Sequence, residues 1–238
     1  MGKGEQVSNW TLVVSSRHHV DGFLAEANRL RALLDAVSDA AKVQYGRPLT
    51  WRGQRTAAEQ WADPAAIATL MESWQLADDA GKTMKGGGAT GVVQGYEAGA
   101  QKAMVNAMWS AGGDGDWPFT CSLRFYGGEP LQEYPVEWLV TLLNTASAAV
   151  LADEATIETG QLAGKLMDAR LDNRVGVLTL FPHKIDRSAL PGSVTVHAGP
   201  AQQPHAIVVV ADLKRSIDNP AAMVDDLLLV DDLLATAR

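Results

Sequence analysis

With 238 residues, 47% hydrophobic and 20% charged, the chain has apolar surface for a sizeable core and the length of one large or two intimately packed domains. Its net charge of −8 is uneven: residues 1–127 hold 13 acids and 12 bases, residues 128–238 hold 15 and 8. An acidic chain without a Lys/Arg cluster is not expected to bind nucleic acid or an anionic membrane directly.

No apolar run approaches the ~18 residues that cross a bilayer, and no apolar h-region follows Lys3. The single cysteine, Cys121, excludes an internal disulfide and a zinc site made of cysteines. Both features predict a cytoplasmic protein.

The elements read in chain order as follows. In "EQVSNWTLVVSS", Trp10, Leu12 and Val14 alternate as in a strand. In "HVDGFLAEANRLRALLDAVSDA", Phe23, Leu24, Ala27, Leu30, Leu33, Leu34 and Val37 recur at helical spacing, with Asp21 placed to cap. "VQYGRPLTWRG" is broken by Gly46 and Pro48 and predicts irregular chain or a short strand. Asp63 and Pro64 start a second helix whose buried side runs through Ile67, Leu70, Met71, Trp74 and Leu76–Ala77. A hairpin of Lys102–Ser110 with Pro118–Tyr126 follows, turned by "GGDGD" and marked by alternating Phe119, Cys121, Leu123 and Phe125. A third helix starts near Pro135. "TIETGQLAGKLMDARL" predicts a short helix interrupted by Gly160 and Gly164. Three β runs, "VGVLTLF", "SVTVHAG" and "AIVVVAD", precede a fourth helix with Asn219 as cap and Pro220 at its first position.

Strands that follow one another through short turns pair antiparallel, so the expected class is α+β: antiparallel sheet or sheets with helices packed on one face. The halves look alike, and we divide the chain into 1–127 and 128–238, or read both as one continuous domain.

Gly86, Gly88 and Gly91 in "MKGGGATG" spell G-x-G-x-x-G. A dinucleotide site needs a strand before that fingerprint and a helix opening within it. Here a helix precedes it and a glycine-broken segment follows, which predicts a pliable connection with no nucleotide. "AGKT" lacks the first glycine of a P-loop, because position 76 is leucine. His18 and His19 are adjacent rather than four apart, and His183, His197 and His205 are scattered, so no metal site is expected. Cys121 reads as a buried, inert thiol. No G-x-S-x-G elbow or triad spacing occurs. We expect no catalytic residues and no cofactor.

Two features suit partner binding. Asp225, Asp226, Asp231 and Asp232 form acidic doublets on the last helix, read either as its solvated face or as an acidic docking surface. Tyr126, Glu129, Glu133 and Tyr134 mix aromatics with acids, as binding hot spots do. Phe125 and Trp138 nearby read as core.

"PLTWRGQRTAAEQ", the glycine-ended hairpin "AMVNAMWSAGG…FTCSLRFYGG", "RVGVLTLF" and "DNPAAMVDDLLLVDDLLATA" together resemble the immunity protein 52 family, from about Trp51 to the end. Val177 stands where that family usually has a tryptophan. The resemblance implies a partner of bacterial polymorphic toxins. More specifically, it implies a stoichiometric, non-catalytic inhibitor of a restriction-endonuclease-like DNase effector of the type VI secretion system. Alone, the chain is expected to be a monomer. An acidic inhibitor suits a toxin with a basic DNA-facing groove. An adaptor or chaperone for a secreted effector, or a small-molecule-binding enzyme, remain the alternatives.

Overall fold

The computed structural model describes residues 10–53, 56–77, 82, 88–112, 118–126, 131–170, 175–183 and 185–236. The first half lays down β1 (Trp10–Ser16), α1 (Gly22–Tyr45), β2 (Leu49–Arg52), α2 (Ala58–Ala62), α3 (Pro64–Ser73), β3 (Ala89–Glu97), β4 (Val105–Ala111) and β5 (Phe119–Phe125). The second half supplies α4 (Val136–Val150), β6 (Glu154–Thr159), α5 (Gly160–Ala169), β7 (Leu178–Phe181), β8 (Val194–Ala198), β9 (Ile207–Ala211), α6 (Leu213–Asp218) and α7 (Val224–Thr236). All nine strands join one antiparallel sheet in the order β2-β3-β4-β5-β1-β6-β7-β9-β8. The mixed α+β class expected from the strand grouping is therefore the class observed. The pairing of β1 with β6 carries the sheet across the 127/128 boundary.

Alternation decides which side of the sheet is covered. Leu12, Val14, Ala107, Cys121, Leu123 and Ile157 point to one side and are fully buried there. α1 packs against α3 and α4 on that side, and α4 lies against β1, β6 and β7. The positions between them point to the other side of β1–β6 and stay partly or fully exposed. At β7 and β9 every residue is buried, so both faces are covered there. Continuous apolar runs such as "IVVVA" are what two covered faces require.

Local chemistry sets the helix ends. Gly46 takes the left-handed conformation (φ 77°) that closes α1, and its N–H donates to Lys42 O. Asp63 accepts from the Ala65 N–H and starts α3 as expected. Asp21 occupies the cap position of α1 without a side-chain bond and lies 3.4 Å from His19 instead.

Four readings need correction. The second helix, expected to run on to about Ala80, ends at Ser73. "GVVQGYE", which its glycines make look broken, belongs to β3, a nine-residue strand. Glu154–Thr159 is strand β6, and the helix begins only at Gly160, running through Gly164 without interruption. Asn219 makes no cap bond; Pro220–Met223 is a 3-10 turn that leads into α7, and the short helix α6 precedes it, capped by Asp212.

The glycine stretch divides. Gly88 is buried and Gly91 lies within β3, whereas Gly86 falls outside the described residues.

Candidate protein-binding face

The outer side of β2–β5 carries a connected arrangement of polar and aromatic side chains. Cross-strand register places Arg52, Gln94, Asn106 and Arg124 on one line perpendicular to the strands, one residue from each. Arg52 and Arg124 end that line, three strand spacings or roughly 14 Å apart. Tyr96 and Tyr126 stand two residues further along their chains, on the same side.

A directed hydrogen-bond chain ties these groups together. The Tyr96 hydroxyl donates to Gln94 Oε1 at 2.7 Å, and Gln94 Nε2 donates to Asn106 Oδ1 at 2.8 Å. Asn106 Nδ2 then donates to the Tyr126 hydroxyl at 3.1 Å. Each arginine covers a ring: the guanidinium carbon of Arg52 lies 3.8 Å from the Tyr96 centroid, that of Arg124 5.4 Å from the Tyr126 centroid. Such stacking is favourable by about 0.5–1 kcal/mol at exposed sites. A contact of that size also lowers the side-chain ordering cost of binding, more for Arg52 at 3.8 Å than for Arg124 at 5.4 Å.

The next line of the sheet is apolar at its centre. Val92 pairs with Met108, which pairs with Ser122. Met108 is 63% exposed and Val92 41%. Thr90, Ser110 and Thr120 form the line beyond. No outward position of β2–β5 is acidic. On the neighbouring strands of this side, β1 turns Thr11, Val13 and Ser15 outward and β6 turns out the acidic Glu154 and Glu158. Burial pushes the Glu158 carboxyl above its ordinary range.

The residues predicted for partner binding are dispersed. Tyr126 belongs to the hydrogen-bond chain just described. Tyr134 does not reach the surface: it is 3% exposed, packs on Trp10 and Trp138, and shares a 2.7 Å hydroxyl–hydroxyl bond with Tyr45. Glu133 is exposed, and Glu129 lies outside the described residues.

On α7, Asp225 is exposed and Asp226 half-buried. Asp231 is buried, contrary to the reading of a solvated doublet. Arg170 Nη1 donates to Asp231 Oδ2 at 2.9 Å and to Asp232 Oδ1 at 2.7 Å. Those bonds, Asp232's first, raise the arginine's pKa. Half of the acidic helix face is thus engaged within the chain.

Other chemically notable groups are built into the core. Cys121 is fully buried, and burial drives its thiol pKa far up. Phe125 and Trp138 are core residues as expected, Phe125 stacking on Trp10 at 3.8 Å between ring centres. Glu26 and Arg29, both buried, lie 3.5 Å apart, and Arg29 Nη2 donates to His18 O. Desolvation raises the Glu26 pKa against the pull of Arg29. His18, His19, His183 and His205 are exposed and His197 half-buried. Among the described residues no three His, Cys, Asp or Glu side chains converge as metal ligands, and no helix is long and apolar enough to cross a membrane.

The sequence had a signal for the outer face that the glycines obscured. In β3, Val92, Gln94 and Tyr96 alternate with Gly91, Val93 and Gly95; in β4, Asn106, Met108 and Ser110 alternate with buried residues. Arg52 and Arg124 fall into the same phase only once the register is known.

No family model matches the chain, and no curated protein matches it. Among solved structures it is similar in fold to the Pseudomonas aeruginosa T6SS protein PA0821, with a TM-score of 0.50 and 12% identity over 97% of this chain and 74% of that one.

Proposed function

We propose that this chain is a non-catalytic immunity protein of the immunity protein 52 type, which binds a cognate toxin and neutralises it as a stoichiometric inhibitor in the cytoplasm of the producing cell. The observation that carries this reading is the outer face of β2–β5. It presents tyrosine, arginine and methionine, the residue types enriched in protein interfaces, and carries none of the lysine, glutamate or aspartate that interfaces avoid. The fold likeness to a T6SS protein supports an effector of that system as the partner, and the sequence resemblance points to a restriction-endonuclease-like DNase.

Coexpression with the toxin domain encoded by the neighbouring gene tests the reading. The expected result is restored growth, a one-to-one complex on a sizing column, and loss of DNase activity in vitro on adding this protein. A toxin that still kills, with no complex formed, sinks the proposal. A complex that leaves DNase activity intact identifies an adaptor instead.

A further inference from the structure

Resting on that reading, we propose that the outer face of β2–β5 receives a carboxylate-bearing segment of the toxin, with Arg52 and Arg124 each gripping an Asp or Glu side chain and Met108 and Val92 packing between them. Charge complementarity decides the partner's chemistry. The face holds two guanidinium groups and no acid, on a chain that is otherwise acidic. Neither arginine has an ion pair or hydrogen bond among the described residues; each has only the ring beneath it. A guanidinium set over a tyrosine ring, with no other bond among the described residues, retains N–H groups for the two-pronged bond that carboxylates accept. Tyr126 accepts its hydrogen bond from Asn106, which leaves the phenolic proton to donate outward.

The same geometry disfavours nucleic acid. Bases stack on open aromatic faces, and here each tyrosine has a guanidinium over its ring. Further along this side the outward positions are Thr11, Val13 and Ser15 on β1 and Glu154, Thr156 and Glu158 on β6, so the two arginines are not continued by those strands into a basic track that a phosphate backbone could follow. The face also competes with α7 as the docking site, and there Asp231 and Asp232 are already bonded to Arg170.

Titration calorimetry with the purified toxin domain, at low and high salt, tests the assignment on the full-length protein. The variants are Arg52→Glu with Arg124→Glu, the milder Arg52→Gln with Arg124→Gln, Met108→Asp, and Asp225→Asn with Asp226→Asn. Circular dichroism of each checks the fold. The expected result is wild-type affinity that falls with salt, a loss of about 100-fold or more for the charge-reversed pair, and a smaller loss for the neutral pair. Met108→Asp loses at least about 10-fold, and the α7 variant stays close to wild type. If both arginine pairs bind as wild type does, this proposal is overturned while the toxin reading stands. If the wild type does not bind, the toxin reading itself fails and this falls with it. Arginine-dependent binding of a labelled single-stranded DNA oligonucleotide would overturn it in favour of nucleic acid.

Discussion

The indole of Trp109 on β4 lies across the backbone of Gly91 on β3, so close that a Cβ at position 91 would come within 2.6 Å of its Cζ2. Trp74 presses on the same point at 2.7 Å. Gly91 therefore makes room for two large rings, a role unrelated to phosphate binding. Gly95 does the same for Trp51, at 2.9 Å. Gly91→Ala should lower stability by about 1–3 kcal/mol through overpacking, read as a drop in the urea midpoint. An unchanged midpoint would show that the rings yield freely.

Arg170 joins α5 to α7 through Asp231 and Asp232. Asp231 is buried and Asp232 exposed, so their removal should differ. Asp231→Asn should cost about 1–2 kcal/mol by weakening a charge-assisted bond, and Asp232→Asn markedly less. Equal losses in thermal melts would contradict the burial difference.

Glu158 supplies a pH test. Its folded pKa is raised by burial above the ordinary value of 4.5. Between 4.5 and the raised value the native state binds more protons than the unfolded state, so this group's contribution to stability falls as pH rises through that window. Glu158→Gln removes the effect. The stability gain of the variant over wild type should therefore be absent at low pH, grow through the window and level off above it. Denaturant titrations across that range check this, and a gain independent of pH would refute it.

Tyr134 is a core residue bonded to Tyr45. Tyr134→Phe should lower stability by about 1 kcal/mol through the lost hydroxyl bond and leave affinity for the toxin domain unchanged. A binding defect without a stability loss would place it at the interface after all.

How much of this was legible in the sequence depended on whether an element's signal was local. The helix from Asp63–Pro64, the hairpin at Phe119–Phe125 and the three late β runs were legible, because caps and alternation act over a few residues. β3 was not, because Gly91 and Gly95 remove the side chains whose alternation marks a strand. β6 was not, because its outward Glu154, Thr156 and Glu158 leave only Ala155 and Ile157 as an apolar signal.

The candidate face was less legible than the fold. Tyr126 was singled out for its neighbours in sequence, yet its partner Asn106 is 20 residues away. Arg52, Gln94, Asn106 and Arg124 come from four strands. Asp231 and Asp232 read as solvated because Arg170, their counter-charge, is about 60 residues earlier in the chain.

Composition and periodicity alone determined the class: an acidic α+β chain with antiparallel strands, capped amphipathic helices and a cysteine destined for the core. These follow from apolar burial and local backbone geometry, which each segment carries with it. Only the tertiary structure decided which polar residues meet. Strand order and register put two arginines, two tyrosines and two amides on one uncovered face, and no single segment encodes that register.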